Sequence, residues 1–437
     1  MLPPGPRMPA PLQTARWIAR PLPYLEECRR RFGDVFTLRW LGAGTVVMVC
    51  APELVKKVFT ADADVLQAGE GNSLLEPMLG KHSLLLLDGA EHLRQRRLLL
   101  PAFHGERMQT YADQMRAITE ASLERWPVGE PFALHPHMQG ITLDVILRTV
   151  FGIDDAARFD QLRARIVELL DTTATPLAIL PGLLRIDLFR LAPWAKRSRL
   201  KQELDALIYD EIARRRQRAS GGSDVLSMMI EARDDDGRAM TDVELRDELV
   251  TLLLAGHETT ATSLAWAFER LLAMPATLAA LRADLAAGGD DHVDAVIKET
   301  LRVRPILPIV ARFVREPFEL GGYTIPRGVR ITPCIYLVHR RDDLYPEPEA
   351  FRPERWLGVK PDPYTWLPFG GGIRRCLGMA FAMFEMRIVL QTVIPRVRLR
   401  LADGPARVVR RAITLAPSHG TRVVLDERRP PGGSPAL

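Results

Sequence analysis

Phe369-Gly370-Gly371-Gly372-Ile373-Arg374-Arg375-Cys376-Leu377-Gly378 is the stretch that decides the fold, and a helical pattern over 379–393 follows it at once. Three glycines let a backbone pass close to a flat cofactor and take conformations closed to other residues. Cys376 falls at the N-terminus of the predicted helix, where free N–H donors and the helix dipole favour a thiolate over a thiol. A lone cysteine beside a helix is usually a small buried hydrophobe. The helix-terminus position nevertheless makes Cys376 a candidate anionic metal ligand.

Outward from that loop, the chain has 437 residues and a hydrophobic fraction of 47%, ample for a buried core. Its other cysteines, Cys28, Cys50 and Cys334, are scattered with no C-x-x-C pair, which argues against a disulfide framework and for a reducing cytoplasm. The opening Met1-Leu2-Pro3-Pro4-Gly5-Pro6-Arg7 lacks the apolar core of an export signal, so neither signal nor transmembrane anchor is expected. The net charge of +5 comes mostly from arginine spread along predicted helices, which disfavours nucleic acid as a partner. A modest basic face suits either an acidic protein partner or ordinary solvation.

Val35-Phe36-Thr37-Leu38-Arg39-Trp40 and Thr45-Val46-Val47-Met48-Val49 flank Gly42-Ala43-Gly44 as a predicted hairpin. From Pro52 to about Asp284 apolar residues recur mostly at helical spacing. Strand-like pieces return at 311–314, 318–320, 330–332, 397–401 and 421–425. Thr241-Asp242-Val243-Glu244 is a capping box, and the helical pattern behind it runs to Met274, before Pro275. Such a helix would span roughly 50 Å, enough to cross the whole molecule.

His257 and Glu258 interrupt the apolar run of this helix, in Ala255-Gly256-His257-Glu258-Thr259-Thr260, and exclude a membrane span there. Polar groups inside a buried helix cost free energy unless they have partners or work. Thr259 can turn its hydroxyl toward a carbonyl one turn back or toward a ligand. Glu299 and Arg302 share one helix face, a pairing that usually contributes only about 0.2–0.5 kcal/mol. His92 and Arg96 likewise occupy one face of a helix.

In this order along the chain, the segments resemble the cytochrome P-450 family, soluble bacterial type. The loop matches at Phe369, at Gly370 and Gly372, at Arg374 and at Gly378, around Cys376. The resemblance implies a mainly α fold with small β-sheets: a triangular-prism helical domain plus a smaller β-rich region. It implies one domain over 1–429, with β-rich parts at about 30–50, 311–332 and 397–425 and helical parts at about 52–305 and 376–394. Residues 430–437 are expected to form a disordered tail.

It also implies haem b (iron protoporphyrin IX) with O2 as co-substrate, and iron held by the thiolate of Cys376, which favours O–O cleavage. Phe369 would shield the sulfur, and Gly370, Gly378, Ala255 and Gly256 would lie against the cofactor. Glu258 would relay protons, Thr259 would hydrogen-bond the ligand on iron so that its distal oxygen leaves as water, and His257 would point away. Glu299, Arg302 and Arg355 of Pro353-Glu354-Arg355 would form a buried triad, with Trp356 standing where phenylalanine is more usual. His92, Arg96, Arg312 and Arg374 would clamp the haem propionates, a task suited to the guanidinium fork.

Electrons are expected from an external ferredoxin or flavodoxin with its reductase, no flavin segment being appended, and Arg94, Arg97 and Arg375 would receive that partner. The substrate would lie under 65–87 and a lid over 166–191, against Leu252, Ala255, Ile306, Val310, Ile413 and Thr414. These positions are nearly all apolar, which implies a lipophilic small molecule: a fatty acid, terpenoid, steroid or polyketide. The protein is expected to be a cytoplasmic monomer. Two other readings use the same cysteine: a thiolate-haem isomerase or dehydratase, whose kind tends to lack the acid–threonine pair, and a non-catalytic haem sensor or carrier.

Overall fold

A helix of 32 residues, Asp242–Ala273, runs through the centre of the molecule. Its start is the expected capping box: the Thr241 hydroxyl accepts from the Glu244 N–H at 3.2 Å, and the Glu244 carboxylate accepts from the Thr241 N–H at 2.7 Å. It ends where Pro275 opens the next helix, Pro275–Ala286. The computed structural model describes residues 1–103, 107–173, 192–217, 221–411 and 413–430. Most of the lid expected over 166–191, with its apolar stretch 176–184, lies outside these residues, as does nearly all of the tail expected from 430.

Trp266, Phe268, Leu264 and Leu271 of the long helix are fully buried in a helical core that also takes in Leu134–Thr149, Asp291–Val303 and Met379–Arg396. Burying a large apolar side chain of this kind stabilises by about 1.5–3 kcal/mol, so this layer carries most of the fold. The polar residues in the helix's first turns have partners. Glu248 accepts from the Leu84 N–H at 2.8 Å, Asp247 from the His82 N–H at 3.0 Å, and Thr251 donates to Ser83 at 2.7 Å. They pin the segment 80–88 over the helix.

A second core surrounds a five-stranded sheet ordered Val35–Trp40, Gly44–Val49, Arg330–Pro333, Arg312–Val314, Leu66–Gln67. Only Gly44–Val49 and Arg330–Pro333 pair in parallel; the other neighbours are antiparallel. Val397–Leu401 and Pro131–Ala133 flank Arg422–Arg428 in a three-stranded sheet, and Val408–Arg411 pairs with Thr414–Pro417 as a hairpin over the long helix. Two helices missing from the expectation, Ala10–Ala19 and Pro21–Phe32, cover the first sheet, where Trp17 stacks on Trp40 at 4.7 Å. Pro9 and Pro21 stand at the entries of those helices, where proline is tolerated, so a proline-rich opening conceals them.

Candidate active site

The cysteine loop closes on itself: the Cys376 N–H donates to the Phe369 carbonyl at 2.9 Å, and Gly378 is the N-cap of Met379–Arg396. Phe369 packs edge-on to Trp366 at 5.9 Å. Cys376 is the exposed cysteine among the four. Desolvation raises its thiol above the usual range, against the pull of the Gly378 N–H and of Arg96 and Arg375.

The loop glycines take the conformations expected of them, Gly370 and Gly372 having φ of +67° and +64°, and two of them also serve packing. A side chain on Gly371 would come 2.5 Å from the Phe59 ring, and one on Gly372 would come 2.0 Å from the Phe59 carbonyl, so those two serve packing onto helix Pro52–Phe59. Gly370, with φ of +67°, borders open space and is needed for its backbone conformation.

His92 and Arg96 rise from helix Gly89–Leu99, Arg312 from its sheet strand, and Arg374 from the loop. His92 is pushed down to about 3 by burial and then by Arg374, Arg96 and Arg312, which places all four within electrostatic reach. Arg374 reaches the Leu84 and Leu87 carbonyls and pairs with Asp88. Asp88, which sequence reasoning missed, also accepts from the N–H groups of Ala68, Gly69 and Glu70 at 3.0, 2.9 and 3.1 Å.

Arg312 is only 8% exposed, donates to its neighbouring Ala311 carbonyl and rests over Phe59; burial lowers it to about 10. Among the described residues neither Arg312 nor Arg96 has an ion pair. Three guanidinium groups thus stand beside one carboxylate that is already engaged. Such uncompensated buried charge is costly, and a group bringing two carboxylates would relieve it. The cluster therefore fits the haem propionates.

On the long helix, Ala255 is exposed. A side chain on Gly256 would meet Ile146 at 2.9 Å, so its smallness serves close packing with Leu134–Thr149. The Thr259 hydroxyl donates to the Ala255 carbonyl. His257 is buried and pairs with Thr142 at 2.9 Å, the structural part expected of it. Glu258 accepts from Gln139 Nε2 at 2.6 Å and lies 3.3 Å from Arg411 Nε. Burial raises its carboxyl above the usual range, against Arg411 and Gln139.

Glu299, Arg302 and Arg355 do form one network. Arg302 donates to both Glu299 oxygens at 2.8 and 2.7 Å, Arg355 to Oε1 at 3.1 Å, and the Arg352 N–H to Oε1 at 2.9 Å. Trp356, the departure from the family pattern, adds its indole N–H to Oε2 at 2.8 Å. Arg302 also donates to the His339 carbonyl at 2.9 Å, and His339 Nε2 accepts from the Leu367 N–H at 2.8 Å. The triad is thereby tied to the entry of the cysteine loop.

Of the substrate positions, Leu252 is partly buried and Ile306 is buried, with its carbonyl accepting from the Leu415 N–H at 2.9 Å. The Val310 N–H donates to the Pro333 carbonyl at 3.2 Å. Thr414 is buried and donates to the Arg411 carbonyl at 2.8 Å, while Ile413 is exposed in the hairpin turn. Among the arginines expected to face a redox partner, Arg94 is tied to Asp234 at 2.6 Å and Glu244 at 2.7 Å, so it serves the fold. Arg97 pairs with Asp235, and Arg375 has no ion pair among the described residues. No single described helix is long and apolar enough to cross a membrane.

A cysteine within electrostatic reach of guanidinium groups that lack their own carboxylates suits a protein that holds haem through a thiolate. The chain belongs to the cytochrome P450 family: the family model "Cytochrome P450" matches residues 3–418. The protein named cytochrome P450 135B1 of Mycobacterium tuberculosis and Mycobacterium bovis is 44% identical over 97% of this chain and 91% of its own length. Cytochrome P450 137 of Mycobacterium tuberculosis is 41% identical over 90% of this chain and 83% of its own. Among solved structures, retinoic acid-bound cyanobacterial CYP120A1 is similar with a TM-score of 0.84, 26% identity and coverage of 98% and 99%. The protein is thus a monooxygenase whose cofactor is haem b and whose co-substrate is O2.

Proposed function

We propose that this chain, as one domain over 1–429, inserts one oxygen atom into a lipophilic small molecule with electrons from a separate ferredoxin or flavodoxin system, as a cytoplasmic monomer. When bound, the haem supplies reductive activation of O2. The residues of the chain do the rest. Cys376 would hold the iron, with the Gly378 N–H beside the sulfur. His92, Arg96, Arg312 and Arg374 would hold the propionates and so orient the cofactor. Glu258 brings protons in, and Thr259 passes them to the cavity beside Ala255.

The observation that carries this reading is the acid–alcohol pair Glu258–Thr259 on the central helix Asp242–Ala273; Leu252, Ile306 and Val310 would supply an apolar wall to the substrate site. That pair also favours oxygen chemistry over isomerase, dehydratase or carrier roles. The retinoic acid in the structural relative supports a lipophilic substrate of fatty acid, terpenoid, steroid or polyketide type. A screen following the haem Soret shift across these lipid classes tests the substrate class; a response only to polar compounds would overturn it. Cys376→His should keep haem but abolish product formation, and unchanged product formation would remove the ligand assignment.

A further inference from the structure

Glu258 and Thr259 are neighbours in sequence, yet no hydrogen bond joins their side chains among the described residues. The Thr259 hydroxyl is turned back to the Ala255 carbonyl. The Glu258 carboxylate is held by two other elements. From helix Leu134–Thr149, Gln139 donates to Oε2 at 2.6 Å. From the end of strand Val408–Arg411, Arg411 Nε stands 3.3 Å from Oε1. The second grip is loose: Oε1 is buried and has no aligned hydrogen-bond donor. Arg411 holds it by charge, and 32% of the Arg411 side chain is exposed, against 19% for Glu258.

Every other charged or titratable group facing this carboxylate is neutral or engaged. His135 Nε2 lies 3.8 Å from Oε1 and 3.1 Å from the Thr262 hydroxyl, and burial pushes its ring down to about 3. His257 is pushed down to about 4 by burial and is paired with Thr142. Arg163, on helix Ala156–Thr173, bonds Asp144 at 2.6 Å. Arg411 is therefore the one full charge paired with Glu258 among the described residues.

We infer that Arg411 is the gate of the acid: paired, it holds the Glu258 carboxylate on the Gln139 side, and swung out to solvent at the hairpin edge it frees the carboxylate to load a proton and turn to Thr259. The inference rests on reading Glu258–Thr259 as a proton relay. In the cycle, water at the hairpin edge gives one proton to Oε1, making a neutral carboxylic acid. That acid gives its proton to the Thr259 oxygen as the hydroxyl proton of Thr259 moves on into the cavity. A carboxylate and an intact alcohol remain, Arg411 pairs again, and no electron moves. Arg411 is a positioning residue in this scheme, as are Gln139 and His135.

The test uses the holoenzyme reduced by a bacterial ferredoxin and its reductase without added substrate, reading the share of O2 reduced to water rather than released as peroxide across pH. The protonated acid is the active form, so the water share falls as pH rises through the Glu258 transition. Removing the cation takes away support for the ionised form, so Arg411→Met should move that fall upward by about one pH unit, with the Soret band of the reduced carbon monoxide complex unchanged. Arg411→Lys should restore the wild-type position. A fall that stays in place in Arg411→Met, whatever the loss of rate, would show a structural role only and overturn the gate. If Arg411→Met loses haem, Arg411→Gln is read in the same way. Glu258→Gln separates the two levels: if it leaves the water share and its pH course unchanged, the relay itself fails and the gate with it.

Discussion

The Trp356 indole donates to Oε2 of Glu299 at 2.8 Å, and that same oxygen accepts from Arg302 Nε at 2.8 Å. Glu299 is fully buried, and its carboxyl is held below the usual range because Arg302, the Arg352 N–H and Trp356 outweigh the burial that would raise it. Trp356→Phe removes one donor but leaves Oε2 paired, so the cost should be near the low end for a charged hydrogen bond, about 1.5 kcal/mol, seen as a lower thermal midpoint with haem retained. Arg302→Ala leaves a buried carboxylate without its principal cation, a loss of about 3–5 kcal/mol, and should yield little haem-loaded protein.

Thr259→Ala should leave stability within about 1 kcal/mol of wild type, because the lost hydroxyl only doubled a bond on the Ala255 carbonyl of its own helix. Function should separate from stability. Reductant and O2 should still be consumed, with a larger share released as peroxide. A peroxide yield equal to wild type would contradict the relay role of this hydroxyl.

What the sequence discloses and what it hides follow from range. Cys376, the Glu258–Thr259 pair and the Glu299–Arg302 pair are legible because each lies in a short string with a local period or punctuation. Trp356 is legible as a departure, and its meaning appears only once Glu299 is opposite. Gln139 and Glu258 are 119 residues apart, and Arg374 and Asp88 are 286 apart. Nothing in either neighbourhood marks such pairs, since an isolated arginine or glutamine reads as solvated surface. Gly256 and Gly371 are legible as special positions, but their contacts with Ile146 and Phe59 depend on helices placed by the fold. Strand Pro131–Ala133 has three residues, too few to show alternation.

Arg312→Met should act in opposite directions on the empty and the loaded protein. In the apoprotein it replaces a buried, unpaired charge by an apolar chain of similar length, which should be neutral or stabilising by about 1–4 kcal/mol. In the holoprotein it removes a cation suited to a propionate, and haem should transfer to an acceptor globin about tenfold faster, in line with loss of one charged hydrogen bond. Equal rates of haem loss would show that Arg312 does not hold the cofactor.

Glu385 gives the sharpest pH prediction. It lies on Met379–Arg396, is fully buried, and neither carboxylate oxygen has a hydrogen-bond partner among the described residues. Burial alone raises its carboxyl well above the usual value. The folded chain thus keeps a proton that the unfolded chain releases near pH ~4.3. The stability linked to that proton is complete below the unfolded value and is lost as pH rises toward the folded one, at about 1.4 kcal/mol per pH unit. Glu248 is also raised, but its Oε1 accepts from the Leu84 N–H at 2.8 Å, so replacing it would orphan a donor. Glu385→Met orphans nothing among the described residues and conserves volume. It should raise the thermal midpoint of the holoprotein at about pH 8, by an amount equivalent to about 1–3 kcal/mol, and the gain should shrink as pH is lowered toward the unfolded value. A variant no more stable than wild type at the higher pH would mean that Glu385 is satisfied in the folded protein, and a gain independent of pH would mean that it stays ionised there.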